Sequence, residues 1–225
     1  MKIDVIITGS TGMVGEGVLH ECLEHDDVRK ILVLNRRPCG VFHPKLTEII
    51  HKDFFDLTPV ENQLKGYNAC FFCLGVTSVG KEKDEYFSLT YTLTMNMAGI
   101  LSKLNSEMTF CYISGAGTDS TEKGTLAWAR VKGRTENDLM KLPFKKVYNF
   151  RPGFLQPSKG LKNVHKYYFI FKPLYPFFRV VFPKYFSTLQ ELGLAMINSV
   201  TKSYDKQVLE VPDIIRLSEN NYEMS

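Results

Sequence analysis

Residues 3–8, Ile-Asp-Val-Ile-Ile-Thr, run directly into Gly9-Ser10-Thr11-Gly12-Met13-Val14-Gly15, and helical spacing follows through Leu23. An apolar, β-branched strand that passes through closely spaced glycines into a helix presents bare backbone N–H groups and a helix N-terminus to one point. That arrangement accepts the pyrophosphate of a dinucleotide. The spacing is Gly-x-x-Gly-x-x-Gly rather than Gly-x-Gly-x-x-Gly, so the match is one of mechanism and not of letter. Gly9 is expected to turn the chain sharply, Gly12 to let phosphates approach the backbone, and Gly15 to let the helix lie close to the strand. The alternative is a glycine-rich turn with no ligand.

Strand patterns recur near 3–8, 30–35, 46–51, 68–74, 108–114 and 146–151, and alternate with helical patterns near 13–25, 59–65, 84–104 and 125–141. This alternation predicts an α/β chain, a Rossmann-type doubly wound parallel sheet; a small C-terminal substrate-covering region is what the resemblance described below implies. A helix near 187–202 and a short strand near 207–211 close the chain. With 225 residues, 44% hydrophobic and 23% charged, and no repeat or long linker, a single domain over 1–225 is expected, with 151–205 as an aromatic and basic cover.

The opening Met-Lys-Ile-Asp-Val places an acid in the first strand and lacks the apolar run and small-residue cleavage site of a signal peptide. Five cysteines without repeated spacing argue against a disulfide framework. Cys70 and Cys73, three apart in a strand, are expected on opposite faces as packing thiols in a reducing cytoplasm. A cytoplasmic protein without a metal site is the expectation.

The second strand ends Asn35-Arg36-Arg37, at the distance from the glycines where an acid would hold the ribose of NAD. No acid stands there. Arg36 and Arg37 suit bidentate contacts to a 2′-phosphate, which favours NADP over NAD, the alternative being two solvated arginines. Asp53 and Phe54, and then Cys73-Leu74-Gly75, are expected at the C-terminal edge of the sheet, where adenine and ribose would lie.

The element order and glycine spacing, together with Asp53, Tyr112-Ile113-Ser114-Gly115-Ala116-Gly117, Lys132-Gly133-Arg134-Thr135-Glu136 and Arg151-Pro152-Gly153, resemble the atypical short-chain dehydrogenase/reductase superfamily. The likeness is to its NAD(P)-binding epimerase/dehydratase-like branch and to the HIV Tat-interactive-protein-like oxidoreductases. It is clear over residues 1 to 155 and weaker beyond. The resemblance implies a serine, a tyrosine and a lysine four residues after the tyrosine. Ser114 looks like the serine that hydrogen-bonds a substrate oxygen, and Lys132 like the lysine that binds the nicotinamide ribose and lowers the tyrosine pKa. Trp128 stands where that tyrosine belongs. An indole N–H donates a hydrogen bond but does not ionise in a useful range, so the usual proton relay is missing. Tyr112, Tyr91 and Tyr86 are replacement donors by residue type, and Asn96 resembles a family asparagine that helps order a water chain. Trp128, Pro152, Gly153 and Phe154 are expected to border the substrate. The implied function is an NADP-dependent oxidoreductase or epimerase-type enzyme on a small or apolar carbonyl or hydroxyl substrate. A catalytically silent NADP(H)-binding sensor or regulator is the alternative that Trp128 raises.

Between Leu139 and Gln190 there is no Asp or Glu, while ten Lys and Arg residues occur there among many aromatics. Three readings of 164–186 stand open: an aromatic pocket wall, a peripheral contact with anionic lipid through snorkelling lysines, and a self-association surface in a monomer or homodimer. No run is long enough to span a membrane. Nucleic acid is not expected, because no groove-reading motif appears and the cations alternate with bulky apolar residues.

Overall fold

The computed structural model describes residues 1–158, 160–164, 174–202 and 204–219. Its strands, in chain order, are β1 (Ile3–Thr8), β2 (Val28–Asn35), β3 (Leu46–Ile50), β4 (Ala69–Phe72), β5 (Thr109–Ile113), β6 (Lys146–Arg151), β7 (Phe154–Gln156), β8 (Phe186–Thr188) and β9 (Val208–Glu210). Seven of them form a parallel sheet in the order β3-β2-β1-β4-β5-β6-β9, and β7 pairs with β8 in a separate parallel ribbon. The order reverses direction between β1 and β4, which opens a crevice outside the carboxyl ends of those strands. This is the doubly wound Rossmann-type fold that the alternation predicts.

The helices are α1 (Met13–Glu24), α2 (Lys83–Phe87), α3 (Leu93–Leu104), α4 (Ala127–Leu139), α5 (Tyr175–Val181), α6 (Leu189–Thr201) and α7 (Val211–Ser218). A π-helical turn over Ser88–Thr92 joins α2 to α3, and a 3-10 helix covers Thr58–Leu64. Because the sheet is covered on both faces, its central strands are buried and mainly apolar, with Asp4 the one acid in β1. Alternate residues feed two separate cores. Val5, Ile7, Ile31, Val33, Ala69 and Phe71 pack with Val18 and Leu19 of α1, Leu192 and Met196 of α6 and Ile214 of α7. Ile6, Leu32, Leu34, Cys70 and Phe72 pack with Val60, Met97, Leu101 and Leu139 on the other side. Cys70 thus faces one core and Cys73 the edge of the other, and all five cysteines are free.

Several expected boundaries shift. The strand expected over 68–74 ends at Phe72, which leaves Cys73-Leu74-Gly75 in the loop beyond it. The helix expected near 187–202 begins at Leu189, because Phe186–Thr188 pair with β7 and Thr188 caps the helix: its hydroxyl accepts from Glu191 N at 3.0 Å while the Glu191 carboxylate accepts from Thr188 N at 2.8 Å. Helices α5 and α7 form although each has a proline at its start, since a first-turn residue has no intrahelical N–H bond to lose. The segment 165–173 and Lys159, part of the basic and aromatic stretch, lie outside the described residues.

Close approach of α4 to the loop after β5 depends on Gly133. A methyl group there would stand 1.8 Å from the Asp119 carbonyl oxygen. Gly133→Ala is therefore expected to lower stability by about 1–3 kcal/mol. Gly99→Ala, within α3 where a methyl meets nothing within 4 Å, is expected to raise it by up to about 1 kcal/mol. Urea denaturation of the two variants beside the parent checks both.

Candidate functional site

The chain leaves β1 through Gly9, whose φ of +71° belongs to the left-handed region. A methyl at Gly9 would lie 2.8 Å from the Cys73 carbonyl, and one at Gly15 would lie 2.2 Å from the Gly9 oxygen. These two glycines are required by the protein's own packing. Gly12 differs: it is exposed, its nearest neighbour to an added methyl is the Gly9 oxygen at 3.5 Å, and it is the N-cap of α1 with no side-chain cap. The first N–H groups of α1 have no intrahelical partner. An open glycine beside an uncapped helix N-terminus fits a phosphate. Met13 and Val14 turn their side chains to the core, so only their backbone is offered here. Ser10 is buried and accepts a hydrogen bond from Asn35 Nδ2 at 2.8 Å, which fastens the glycine loop to the end of β2.

Beyond β2 a cavity of about 590 Å³ is lined by Thr11, Arg36, Arg37 and Lys52. It holds three cations and no acid, and none of the three has an ion-pair partner among the described residues. Lys52 carries no spacing signal in the sequence; it joins the arginines because β3 lies beside β2 in parallel register, with Ile50 opposite Asn35. A second cavity of about 390 Å³ continues along the sheet edge past Arg36, Asp53, Phe54, Phe55, Leu74 and Gly75. Within it the Phe54 ring is buried and Phe55 is half exposed, while Asp53 Oδ1 accepts from Phe55 N at 2.8 Å and shapes the turn. Asn96 donates to the carbonyls of Phe54 and Phe55 at 3.2 and 3.0 Å. Its amide holds this loop.

A third cavity, of about 400 Å³, is bordered by Trp128, Tyr86, Phe87, Lys83 and Arg130. Lys81 lines both this cavity and the second. The indole lies over the turn after β5, 3.4 Å from where a Cβ on Gly117 would stand. Of the tyrosines, Tyr86 borders this space, Tyr91 donates to Asp138 Oδ2 at 2.7 Å, and Tyr112 is buried within β5. Burial pushes the phenols of Tyr86 and Tyr112 up, and also that of Tyr91, so all three favour the neutral form. Pro152, Gly153 and Phe154 lie elsewhere than these three cavities. The Pro152 carbonyl accepts from Ala116 N at 2.9 Å, Gly153 lies against the Tyr185 carbonyl, and the Phe154 ring packs on Phe186 at 5.3 Å.

Behind the third cavity is a buried network. Ser114 is 3% exposed and donates its hydroxyl to Glu136, with the Phe150 carbonyl 3.1 Å from the same oxygen. Glu136 is fully buried and paired with Arg151, whose Nε donates to it at 3.0 Å. Arg151 also reaches Ser120 Oγ and Glu210, the latter at 3.2 Å. Lys132 Nζ donates to the Ser114 carbonyl. Ser114, expected to face substrate, thus turns its hydroxyl inward, and its carbonyl fixes the lysine.

No family model matches this chain. In sequence it is similar to the protein FMP52-1, mitochondrial, of Scheffersomyces stipitis, at 27% identity over 72% of this chain and 73% of that one. It is also similar to rat HTATIP2, at 25% identity over 67% of this chain and 62% of the relative. The solved structure of Bordetella bronchiseptica WbmG in complex with NAD and UDP superposes with a TM-score of 0.68 at 13% identity, covering 96% of this chain and 77% of that one. The likeness to the atypical short-chain dehydrogenase/reductase superfamily holds. The expectation of a cytoplasmic protein is overturned by the fungal relatives, which bear mitochondrial names.

Desolvation pulls the Lys132 ammonium down to about 8, against the charge of Glu136, which pulls it up. Between that value and the 10.5 of an ordinary lysine, the unfolded chain binds more protons than the folded one. Lys132 therefore makes stability rise as pH rises through this window. Lys132→Met is expected to remove that rise, which urea denaturation of both proteins at the two ends of the window measures. Glu136→Ala leaves Arg151 buried without its main partner and is expected to cost about 3–5 kcal/mol, while Glu136→Ala combined with Arg151→Met costs less than the two changes summed. A double-mutant cycle gives the coupling.

Proposed function

We propose that the protein binds NADP(H) along the C-terminal edge of its sheet and uses it as an oxidoreductase or epimerase-type enzyme on a small carbonyl or hydroxyl substrate. The observation that carries this reading is the cavity of Thr11, Arg36, Arg37 and Lys52, three cations without an acid at the end of β2. NAD ends there in a neutral ribose, which calls for a carboxylate; a 2′-phosphate calls for cations. WbmG is described in complex with NAD, which supports a pyridine nucleotide in this fold. In this reading the open backbone at Gly12 admits the pyrophosphate and the N–H groups at Met13 and Val14 hold it, the turn at Leu74-Gly75 passes the adenosine, and Asp53, Phe54 and Phe55 border the adenine. A bound nicotinamide supplies or accepts hydride.

The substrate lies in the cavity beside Trp128, the residue that replaces the family tyrosine. Lys132 binds the nicotinamide ribose. Ser114 acts as a positioning residue, since its hydroxyl belongs to Glu136 and its carbonyl holds Lys132. Tyr86 is the one of the three candidate phenols that borders this cavity, and a phenol kept neutral by burial suits it to give a proton to a developing alkoxide. That assignment favours carbonyl reduction over epimerisation, which needs a base in its oxidative half. The second reading, a nucleotide-binding sensor without turnover, is favoured by Trp128 itself, whose indole N–H does not ionise in a useful range and so relays no proton.

Titration followed by nicotinamide fluorescence is expected to show NADPH binding more tightly than NADH. Arg36→Ala and Lys52→Ala should each weaken NADPH by about tenfold or more and leave NADH nearly unchanged; equal losses for both nucleotides would remove the 2′-phosphate assignment. Incubation of the NADPH complex with a panel of carbonyl and quinone acceptors separates the two functions. Oxidation by an acceptor, reduced at least about tenfold in Tyr86→Phe, supports the enzyme, and tight binding without oxidation by any of them favours the sensor.

A further inference from the structure

We infer that Glu48, which lines neither nucleotide cavity, is the positioning residue that sets the preference for a 2′-phosphate. One oxygen of its carboxylate holds both ends of the turn that carries Arg36 and Arg37 and, through Asn35, the glycine loop. The inference rests on the reading of the sheet edge as an NADP(H) site.

Glu48 stands in the edge strand β3, half-buried and opposite Val33 of β2. Its Oε1 accepts from Asn35 Nδ2 at 2.9 Å and from the backbone N–H of Cys39 at 2.9 Å. Asn35 is the last residue of β2 and Cys39 follows Pro38, so Arg36, Arg37 and Pro38 form an exposed arch whose two ends meet on a single oxygen. The first end is fixed in its backbone as well, since the Asn35 carbonyl accepts from His51 N at 2.8 Å. The ring of Pro38 narrows the backbone freedom within the arch. A carboxylate only accepts, so it admits one orientation of the Asn35 amide, with Nδ2 set between Glu48 Oε1 and Ser10 Oγ, the latter at 2.8 Å. Ser10 is 2% exposed and lies between Gly9 and Gly12. One carboxylate thus fixes the arginine arch and the glycine loop, the two elements that this site offers to phosphates.

The arch works against its own charge. Arg36 and Arg37 are neighbours, Lys52 lines the same cavity, and like charges so placed push the turn open. Held by Glu48, the arch presents both guanidiniums together and loses less freedom when a ligand arrives. Burial foremost, with the Glu48 carboxylate adding to it, raises the Cys39 thiol, so Cys39 brings no second negative charge to this corner. Charge and geometry make opposite forecasts for Glu48. As a bare negative charge near a phosphate it would repel NADPH, and its removal would tighten binding. As the support of the arch its removal weakens NADPH, and weakens NADH less, because NADH has no 2′-phosphate for the arginines to hold.

The test is titration of the whole chain with NADPH and with NADH, followed by nicotinamide fluorescence, for the parent, Glu48→Ala, Glu48→Gln and Glu48→Asp, with circular dichroism as the check on folding. The expected result is a parent preference for NADPH that falls by about tenfold in Glu48→Ala, through lost NADPH affinity rather than gained NADH affinity. Glu48→Gln keeps an oxygen that accepts from both donors and is expected to retain most of the preference; a role through charge alone would instead tighten NADPH in both variants. Glu48→Asp keeps the charge but falls one methylene short of the two donors. It is expected to lower the preference severalfold and serves if Glu48→Ala fails to fold. A parent that prefers NADPH, with the preference unchanged or raised in Glu48→Ala, overturns this inference and leaves the 2′-phosphate reading standing. Equal losses for both nucleotides overturn it too, since the preference is then set elsewhere. A parent without any preference for NADPH removes the 2′-phosphate reading, and this inference with it.

Discussion

The buried ion pair between Glu136 and Arg151 is the contact on which the geometry around Ser114 and Lys132 depends. It joins α4 to the last residue of β6, and through Glu210 and Ser120 it reaches the end of β9 and the loop after β5. Burial works against the Arg151 charge, yet the hydrogen bonds and charge of Glu136 and Glu210 outweigh it and hold the guanidinium above its ordinary value. Such a pair is weak evidence of net stability, because taking both charges out of water costs several kcal/mol. Its effect is on geometry. With Glu136 fixed by Arg151, the Ser114 hydroxyl has a preset acceptor, and the Ser114 carbonyl is then aimed at Lys132.

That chain of constraints also explains the glycines around it. The helix that carries Glu136 must lie against the Gly115–Ser120 loop, which only Gly133 permits. Trp128, one turn before Lys132 on the same helix, is carried by this approach over Gly117, whose φ of +85° and lack of a side chain leave room for the ring. The placement of indole, lysine and serine is thus one consequence of a helix docked tightly by a buried charge pair.

Much of the fold was legible because its strands are short, near-continuous apolar runs bounded by turn residues, and because β1 leads into glycines whose roles are steric. Gly9 and Gly15 do as their spacing predicts. The sites were less legible, for reasons that particular residues make plain. Lys52 is a lone lysine after a strand, and only the lateral pairing of β2 with β3 brings it beside Arg36. The inward turn of Ser114 follows from Glu136 being buried, whereas a glutamate in a helix with Arg134 and Asn137 beside it reads as solvated. Strands β7 and β8 have three residues each, too few for alternation to register, and α5 sits between prolines that read as breaks.

The described residues of the C-terminal segment are tied directly to this scaffold. Glu16, in the first turn of α1, accepts from the backbone N–H groups of Lys162 and Asn163 at 2.7 and 2.8 Å. On the far side, α6 packs on α1 where Gly17 receives Leu189, with an added methyl 3.0 Å from its side chain, and where Gly193 receives the stem of Glu21. The capping box of α6 shares Glu191 with Arg179 of α5. Helix α5 therefore connects through α6, by hydrogen bonds and glycine-sized contacts rather than by a flexible linker, to the helix whose N-terminus lies at the glycine loop.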